Sequence, residues 1–382
     1  MPKVMSKIMP KIMPKMMPKM MKAVVTTGNG GTDKLDYREV ALRPLQKGEA
    51  CLRVLAAGMN NTEINTRLGW YSQSVSASTD ALGTAQDKQA EQKEDGGWNK
   101  ATPFPIIQGT DCCGEVIAVH DAADKSLIGK RALVRACMRT KGFGNQETVW
   151  MASDFDGAFA QYVIVPAAEV FPVECDWTDA ELATIPCAYA TAETMLHRAQ
   201  CEKGARILVM GASGGVGSAV VQLAKRRGAH VCAVTTAEKA EMVASLGVDS
   251  VFDRHTDLLS QTGEEAFDLV VDNVAGALFP VMLKLLKRGG KYTSSGAIAG
   301  PVVSLDMRDM YLKDITLIGT TAWDEPVFPN LISYIEAGEI KPLVARQFAM
   351  ADIAQAQEQF ASKDFVGNFV LIPELADGKL DA

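Results

Sequence analysis

A glycine-rich turn between two apolar segments is the part of this sequence that most directly predicts chemistry. It follows the β-branched run at residues 207–210, and residues 218–225 after it have the spacing of an amphipathic helix. Glycines let a backbone approach phosphate groups, and a helix N-terminus offers unpaired N–H groups and the positive end of a dipole. We therefore predict a dinucleotide-binding site at this turn. The turn comprises Ser213, Gly214, Gly215, Val216 and Gly217.

The segments after the turn continue the alternation of strand and helix. Apolar runs at residues 231–234 and 267–271 predict two more strands, and residues 289–292 lead into a fourth. This pattern predicts an α/β fold with a doubly wound parallel sheet, a Rossmann domain. The alternative is a flavodoxin-like sheet in which the glycine turn is incidental.

The residues at the end of the second strand bear on which dinucleotide binds. An NAD site normally has Asp or Glu there to accept the ribose 2′-OH, but this chain has Thr235 and Thr236, with Lys239 within reach. Arg254 follows the next short strand. Hydroxyls and cations suit a 2′-phosphate, so we predict NADPH. Two alternatives remain open: Glu238 serves an NAD ribose, or Lys239 and Arg254 are ordinary surface residues.

Length and composition limit the class of protein. A chain of 382 residues with 47% hydrophobic residues predicts two domains, and it has no apolar run of transmembrane length. The net charge of −7 argues against nucleic acid as a partner. Eight scattered cysteines without a C-x-x-C motif are typical of reduced thiols, so we expect a cytoplasmic protein that binds a small molecule and no membrane.

The chain divides into four parts by pattern. Residues 1–20 repeat a tetrapeptide with Met and Lys, which predicts a disordered extension or an upstream start with the working start at Met21; a basic tether is the alternative. Short strands with turns between them predict a β-rich domain over residues 21–187. The dinucleotide domain is predicted over 188–322, and residues 323–382 are expected to rejoin the first domain. The predicted elements outside the dinucleotide domain are strands at 21–26, 51–55, 114–119, 131–134, 160–165 and 367–372, and helices at 178–200, 326–337 and 353–361.

Residues 72–104 form a long segment rich in Ser, Gln and charges, without helical or strand patterning. Loops of this length are functional lids or lack a fixed structure. We weigh two interpretations: a surface insertion, and a lid or substrate-specificity loop anchored by Trp98.

Taken together, the motifs resemble the medium-chain dehydrogenase/reductase superfamily, in particular its zinc-free quinone oxidoreductase and 2-enoyl-thioester reductase branches. The resemblance implies a GroES-like catalytic domain, a Rossmann domain, and a homodimer formed through the Rossmann sheet edges. Besides the glycine turn, it is carried by residues 57–65, 108–111, 185–192 and 366–371.

The same resemblance bears on metal binding. Zinc-dependent relatives have a Cys, a His and a later Cys or carboxylate as ligands, whereas Asn60, Thr110 and Cys187 stand at those positions here. An amide and a hydroxyl are poor zinc ligands, so a three-ligand site is lost. Residues 120–165 contain only Cys137, so a structural zinc lobe with four cysteines is also excluded. We predict no metal.

Without a Lewis acid, a conjugated C=C bond is an easier target than a plain carbonyl. Hydride addition to its β-carbon forms an enolate, which needs a hydrogen-bond donor and a proton. By resemblance, Tyr71 is the proton donor or carbonyl orienter and Asn60 lies near the nicotinamide. Thr191 and Asn273 are predicted to contact the cofactor. The alternative roles are a packed aromatic for Tyr71, a turn cap for Asn60 and a helix cap for Thr191.

We therefore expect an NADPH-dependent, zinc-independent reductase of enoyl thioesters, enones or quinones. One alternative is a one-electron quinone oxidoreductase, which needs no proton donor. The other is a non-catalytic NADPH-binding sensor that uses residues 72–104 as a partner surface. Fold alone does not separate these functions.

Overall fold

The fold is taken from a computed structural model, which describes residues 17–84 and 94–374. Most of the repeat at residues 1–20 therefore lies outside the described residues, as do part of the segment 72–104 and the end of the chain. The first strand begins at Met20, and Leu42 N–H donates to the carbonyl of Lys19, so order begins before the predicted start. Among the described helices, none is long and apolar enough to cross a membrane.

The N-terminal half forms the predicted β-rich domain. Its main sheet has the strand order β10-β6-β5-β3 and continues with two strands from the end of the chain, β18 (Asn368–Ile372) and β17 (Val344–Ala349). Strand β9 also pairs with β3. β3 is buried along most of its length because sheet neighbours and α3 cover it. The strands are β1 (Met20–Thr26), β2 (Leu35–Ala41), β3 (Glu49–Met59), β4 (Ile106–Ile107), β5 (Cys113–Val119), β6 (Arg131–Val134), β7 (Cys137–Met138), β8 (Val149–Trp150), β9 (Tyr162–Pro166) and β10 (Val170–Pro172), and the helices are α1 (Asn61–Leu68) and α2 (Thr79–Thr84).

Helix α2 corrects the expectation that residues 72–104 have no regular structure. Its sequence gives little helical signal, and tertiary contacts place it. The Trp70 indole N–H donates to the carbonyl of Ala77 at 3.0 Å, and Thr79 N–H donates to the carbonyl of Ile298 at 3.1 Å. The second contact links this segment to the dinucleotide domain.

The helix predicted at residues 178–200 is two helices, α3 (Asp179–Leu182) and α4 (Pro186–Arg198). Pro186 is the reason, since a proline has no N–H to donate but fits the first turn of a helix. Thr178 caps α3 by accepting from Glu181 N–H at 3.2 Å. Thr191 therefore lies within α4 and does not cap its start.

The central region forms a parallel sheet with the order β13-β12-β11-β14-β15-β16, the Rossmann order in which β11 is the first strand. The fold class predicted from the sequence is confirmed. The strands are β11 (Arg206–Met210), β12 (His230–Thr235), β13 (Ser250–Asp253), β14 (Phe267–Val271), β15 (Leu286–Ser294) and β16 (Thr316–Gly319), and the helices are α5 (Gly215–Arg226), α6 (Ala240–Ala244), α7 (Leu258–Thr262), α8 (Phe279–Leu285) and α9 (Met307–Tyr311).

The C-terminal segment returns to the first domain. Its last strand pairs antiparallel with β3, with Phe369 opposite Met59. The domain boundaries at 187/188 and 322/323 stay predictions. The elements are α10 (Val327–Glu336), β17 (Val344–Ala349), α11 (Ile353–Ala361) and β18 (Asn368–Ile372).

Candidate active site

A cleft lies between the β-rich domain and the C-terminal ends of the Rossmann strands. It brings together Asn60, Tyr71, Thr191, Gly215, Val216 and Asn273, all predicted from the sequence. Among the cleft residues that the structure describes, none is Asp, Glu, Lys, Arg or His. The remaining lining residues are Asn61, Thr62, Asn65, Trp70, Trp98, Trp150, Cys187, Ser295, Gly296, Ala297, Ile298, Thr320, Thr321, Phe360 and Asn368.

The orientation of the Asn60 amide follows from its partners. Its Nδ2 donates to Asp111 Oδ2 at 2.8 Å and to Thr110 Oγ1 at 3.2 Å. Both amide hydrogens are thereby engaged, and the side chain also accepts from the backbone N–H of Glu63 in a capping box at the start of α1. Asn60 therefore caps α1, which was its alternative role, and its place near the nicotinamide stays a prediction.

Asp111 is fully buried and holds two elements of the cleft together. Besides Asn60, it accepts from Cys187 N–H at 2.5 Å, at the start of α4. Burial is the main reason that its pKa is raised to about 7, and the nearby Glu63 carboxyl adds to the rise. The sequence analysis did not identify Asp111 as a site residue, because its role depends on contacts across 51 and 76 positions of the chain.

Glu63 is the second buried carboxylate of the same hydrogen-bond network. Its carboxylate accepts from Asn60 N–H at 2.8 Å, from Thr110 N–H at 2.9 Å and from the Thr110 hydroxyl at 2.6 Å. Burial raises the pKa of Glu63, and the hydrogen bonds from Thr110 oppose that rise. The loop that carries Thr110 is thus fixed against the start of α1.

These contacts decide whether the three positions suit zinc. The Asn60 amide N–H groups donate to Asp111 and Thr110, and the Thr110 hydroxyl donates to Glu63, so only Cys187 of the three carries a group that binds zinc well. A zinc ligand set needs deprotonated thiol, imidazole or carboxylate groups. The residues present do not fit a three-ligand zinc site.

Tyr71 lies in the cleft beside Trp70 and Trp98, with its hydroxyl 2.9 Å from Thr62 Oγ1. Burial raises the pKa of Tyr71, and its hydrogen bonds to Thr62 and Asn65 oppose the rise. The phenol is therefore neutral at physiological pH and carries a proton that it can donate.

The glycine turn has the geometry that a pyrophosphate needs. Gly211 has φ +64°, and a Cβ on Gly217 would lie 2.2 Å from the carbonyl oxygen of Gly211, so the turn admits no side chain there. Helix α5 begins at Gly215 with Gly214 as an extended N-cap that makes no side-chain capping bond. Its first N–H groups are left for an anion, so these residues fit a dinucleotide.

The predicted 2′-phosphate residues differ in their surroundings. Thr236 follows β12 and is partly exposed. Burial lowers the pKa of the Lys239 ammonium, and the positive charge of Arg254 lowers it further. Thr235 is only 4% exposed, and its hydroxyl has no hydrogen-bond partner among the described residues. Thr235 stays a predicted cofactor contact. Glu238 is exposed, and its pKa is lowered by its own backbone N–H and the Thr236 hydroxyl.

Lys363 is a cation that the sequence analysis missed. Its carbonyl accepts from Lys239 Nζ, and its own ammonium donates to Asn61 Oδ1 at 2.6 Å. Burial lowers the pKa of Lys363 to about 8, and the charge of Lys239 contributes. It comes from the segment after α11, so no local pattern links it to the dinucleotide domain.

Thr191 and Asn273 lie on the cofactor side of the cleft. Asn273 follows β14, and its Oδ1 accepts from the backbone N–H and hydroxyl of Ser295, both at 2.9 Å. Asn273 is thereby fixed against the loop that follows β15, and its side chain borders the cleft. Both residues stay predicted cofactor contacts.

Comparisons with known proteins agree with this architecture. The model of the alcohol dehydrogenase GroES-like domain matches residues 46–175, and that of the zinc-binding dehydrogenase matches residues 215–337. A solved structure of a Sinorhizobium meliloti 1021 protein assigned as an alcohol dehydrogenase is 39% identical, with a TM-score of 0.83 and coverage of 94% of this chain and 98% of that chain. The chain belongs to the medium-chain dehydrogenase/reductase superfamily.

Two curated relatives of this superfamily member are reductases. Acryloyl-coenzyme A reductase of Metallosphaera sedula is 26% identical over 72% of this chain and 86% of its own length. The chloroplastic NADPH-dependent alkenal/one oxidoreductase of Arabidopsis thaliana is 27% identical over 92% of this chain and 79% of its own length. The protein is therefore an oxidoreductase of a superfamily that uses nicotinamide cofactors.

The raised pKa of Asp111 predicts a pH-dependent stability difference. In the unfolded chain this carboxyl ionises near 3.8, but in the folded protein it ionises near 7. Wild type should therefore lose stability relative to Asp111→Asn as pH rises from about 4 to 7, by about 1.4 kcal/mol per unit of pKa difference. Above pH 7 the difference should be constant. Urea unfolding at several pH values measures it, with the exposed Asp176→Asn as control; a difference independent of pH would contradict the prediction.

Proposed function

We propose that this protein is an NADPH-dependent, zinc-independent reductase of the C=C bond of α,β-unsaturated carbonyl compounds. The observation that carries the proposal is a neutral phenol, Tyr71, in a cleft whose described lining has no charged side chain. A group with this protonation state can donate a proton where an enolate develops.

Two features support a C=C bond over a plain carbonyl as the target. Reduction of a carbonyl at neutral pH benefits from a Lewis acid, and Asn60, Thr110 and Cys187 do not supply a zinc site. A conjugated bond needs only a hydrogen-bond donor at the enolate oxygen and a proton for the α-carbon. Tyr71 can supply both.

When bound, NADPH supplies the hydride that adds to the β-carbon of the substrate. Tyr71 then donates a proton to the α-carbon, directly or after holding the carbonyl oxygen. The Thr62 hydroxyl, 2.9 Å from Tyr71 Oη, stabilises the resulting phenolate by donating a hydrogen bond, and solvent water then returns the proton to Tyr71.

Tyr71→Phe tests this assignment. The variant retains the ring and removes the proton, so kcat for a 2-enone should fall about a hundredfold or more, with NADPH affinity retained. Tyr37→Phe, on β2 outside the cleft, is the matched control. Full activity of Tyr71→Phe with enones would contradict the role of Tyr71, whereas activity confined to 1,4-quinones and unchanged in Tyr71→Phe would favour one-electron quinone reduction. Tight NADPH binding without turnover of enones, crotonyl-CoA or quinones by the wild type would favour a sensor.

The proposed preference for NADPH rests on three cations, of which Lys239 and Arg254 follow the neighbouring strands β12 and β13. Lys239, Arg254 and Lys363 come from three separate segments, and the two lysines touch through the carbonyl of Lys363. A phosphate bound among them would offset their mutual repulsion, whereas the 2′-OH of NADH would not.

Removal of one cation should therefore weaken the binding of NADPH much more than the binding of NADH. Lys239→Ala is expected to raise KM for NADPH about tenfold to a hundredfold and to change KM for NADH far less, because a charge-assisted hydrogen bond contributes about 1.5–3 kcal/mol. Lys125→Ala, on an exposed turn of the other domain, is the control. Equal increases for both cofactors would contradict NADPH selectivity at this position; initial-rate kinetics with each cofactor measures them.

We also propose a homodimer through the free edge of the Rossmann sheet. β16 is the last strand of that sheet in the described chain, and large apolar side chains are exposed around it. An unpaired edge with exposed apolar groups favours association. These side chains are Val302, Leu305, Met307, Tyr311, Leu312 and Leu317.

Leu317→Arg should convert the dimer into a monomer. The side chain is 40% exposed on β16, so a charge there is tolerated in the monomer but would face its own copy across a two-fold axis. Sedimentation equilibrium measures the molecular mass, with Met20→Arg, a side chain 45% exposed on β1 of the other domain, as control. A wild-type monomer, or a dimer unchanged by Leu317→Arg, would contradict this arrangement.

A further inference from the structure

One wall of the cleft is a continuous row of aromatic side chains. Trp98 packs edge-to-face against Tyr71, with ring centres 4.8 Å apart, and against Trp150 at 4.9 Å. Behind them, Trp150 meets Trp323 at 5.3 Å, and Trp323 stacks near Phe328 at 6.1 Å. Trp150 and Trp323 are buried, so the row has a rigid base, and from the partly exposed Trp98 it continues to Tyr71 and Trp70.

Trp98 comes from the segment 72–104, and the chain fixes it on both sides. Asn99 Nδ2 donates to the carbonyl of Thr148 at 2.9 Å and to Asp154 Oδ2 at 2.8 Å. Gly97 lies in a turn where a Cβ would be 2.2 Å from the carbonyl oxygen of Lys100. Asp154 Oδ2 also accepts from Trp150 N–H at 2.8 Å, so one carboxylate holds the backbone beside both indoles.

The same segment also borders the cofactor side of the cleft. Thr79 N–H donates to the carbonyl of Ile298 at 3.1 Å, and Ile298 lines the cleft opposite the catalytic domain's own strands. The described parts of this segment thus contact both domains, through Thr79 on one side and through Asn99 on the other. They place the ring of Trp98 against the ring of Tyr71.

We infer that Trp98 is a specificity-determining residue, and that the aromatic row selects flat, uncharged, ring-bearing unsaturated ketones over extended aliphatic ones. This inference rests on the proposed function, because it names the substrate class of that site. A planar conjugated ring gains edge and face contacts with Trp98 and Tyr71 that a flexible chain of equal carbon number does not. The described lining offers no charged partner, so the group that enters is neutral.

The test compares two saturated ketones of ten carbons, 4-phenylbutan-2-one and decan-2-one, on the NADP⁺-loaded protein. Calorimetry gives both dissociation constants without any turnover. Wild type should bind the phenyl ketone more tightly, and Trp98→Ala should reduce that preference about tenfold. Trp98→Phe should retain most of the preference, and Trp177→Ala, outside the cleft, should retain all of it. NADP⁺ affinity of each variant checks folding.

The outcomes separate this inference from the proposed function. A wild-type preference for decan-2-one, or a preference that Trp98→Ala leaves unchanged, would overturn the role of Trp98 even if 4-phenylbut-3-en-2-one is reduced. Selective binding that depends on Trp98, without reduction of 4-phenylbut-3-en-2-one by NADPH, would support the role of Trp98 and contradict the reductase.

Discussion

The close approach of the C-terminal strand to the glycine turn is the constraint on which the rest of the cleft depends. A Cβ on Gly215 would lie 2.0 Å from Asn368 Oδ1, and Gly367 N–H donates to the carbonyl of Ser213 at 3.1 Å. Phe369, which follows Asn368, pairs with Met59, and Met59 directly precedes Asn60. One strand therefore sets the distance between the phosphate cradle and the first residue of the catalytic segment.

Hydrogen bonds to buried carboxylates then fix the orientation of the groups in the cleft. Asp111 and Glu63 together engage Asn60, Thr110 and the start of α4, so few of these groups can turn toward a metal or a substrate. Buried carboxylates are costly unless they accept several hydrogen bonds, and here both do. The reactive proton is left to Tyr71, whose hydroxyl is hydrogen-bonded to Thr62 on α1, the helix that Asn60 caps.

The sequence predicts the elements whose pattern is local and misses the contacts that join distant segments. The buried β-branched strands and the glycine turn can be predicted because hydrophobic periodicity and turn-forming residues are properties of neighbouring positions in the sequence. The break at Pro186 was also readable, but the apolar pattern on both sides of it favoured one long helix. Helix α2 and Lys363 were not readable, because their positions depend on Ile298 and Lys239 in another domain.

The most direct test of the account is the fate of a labelled hydride. Wild-type protein, dialysed against a chelator, is given a 2-enone and NADPH that carries deuterium in the transferred position. If the protein transfers hydride to the C=C bond, NMR should show a saturated ketone with deuterium on the β-carbon. Deuterium on the carbonyl carbon of an alcohol, or a reaction that requires added zinc, would contradict it.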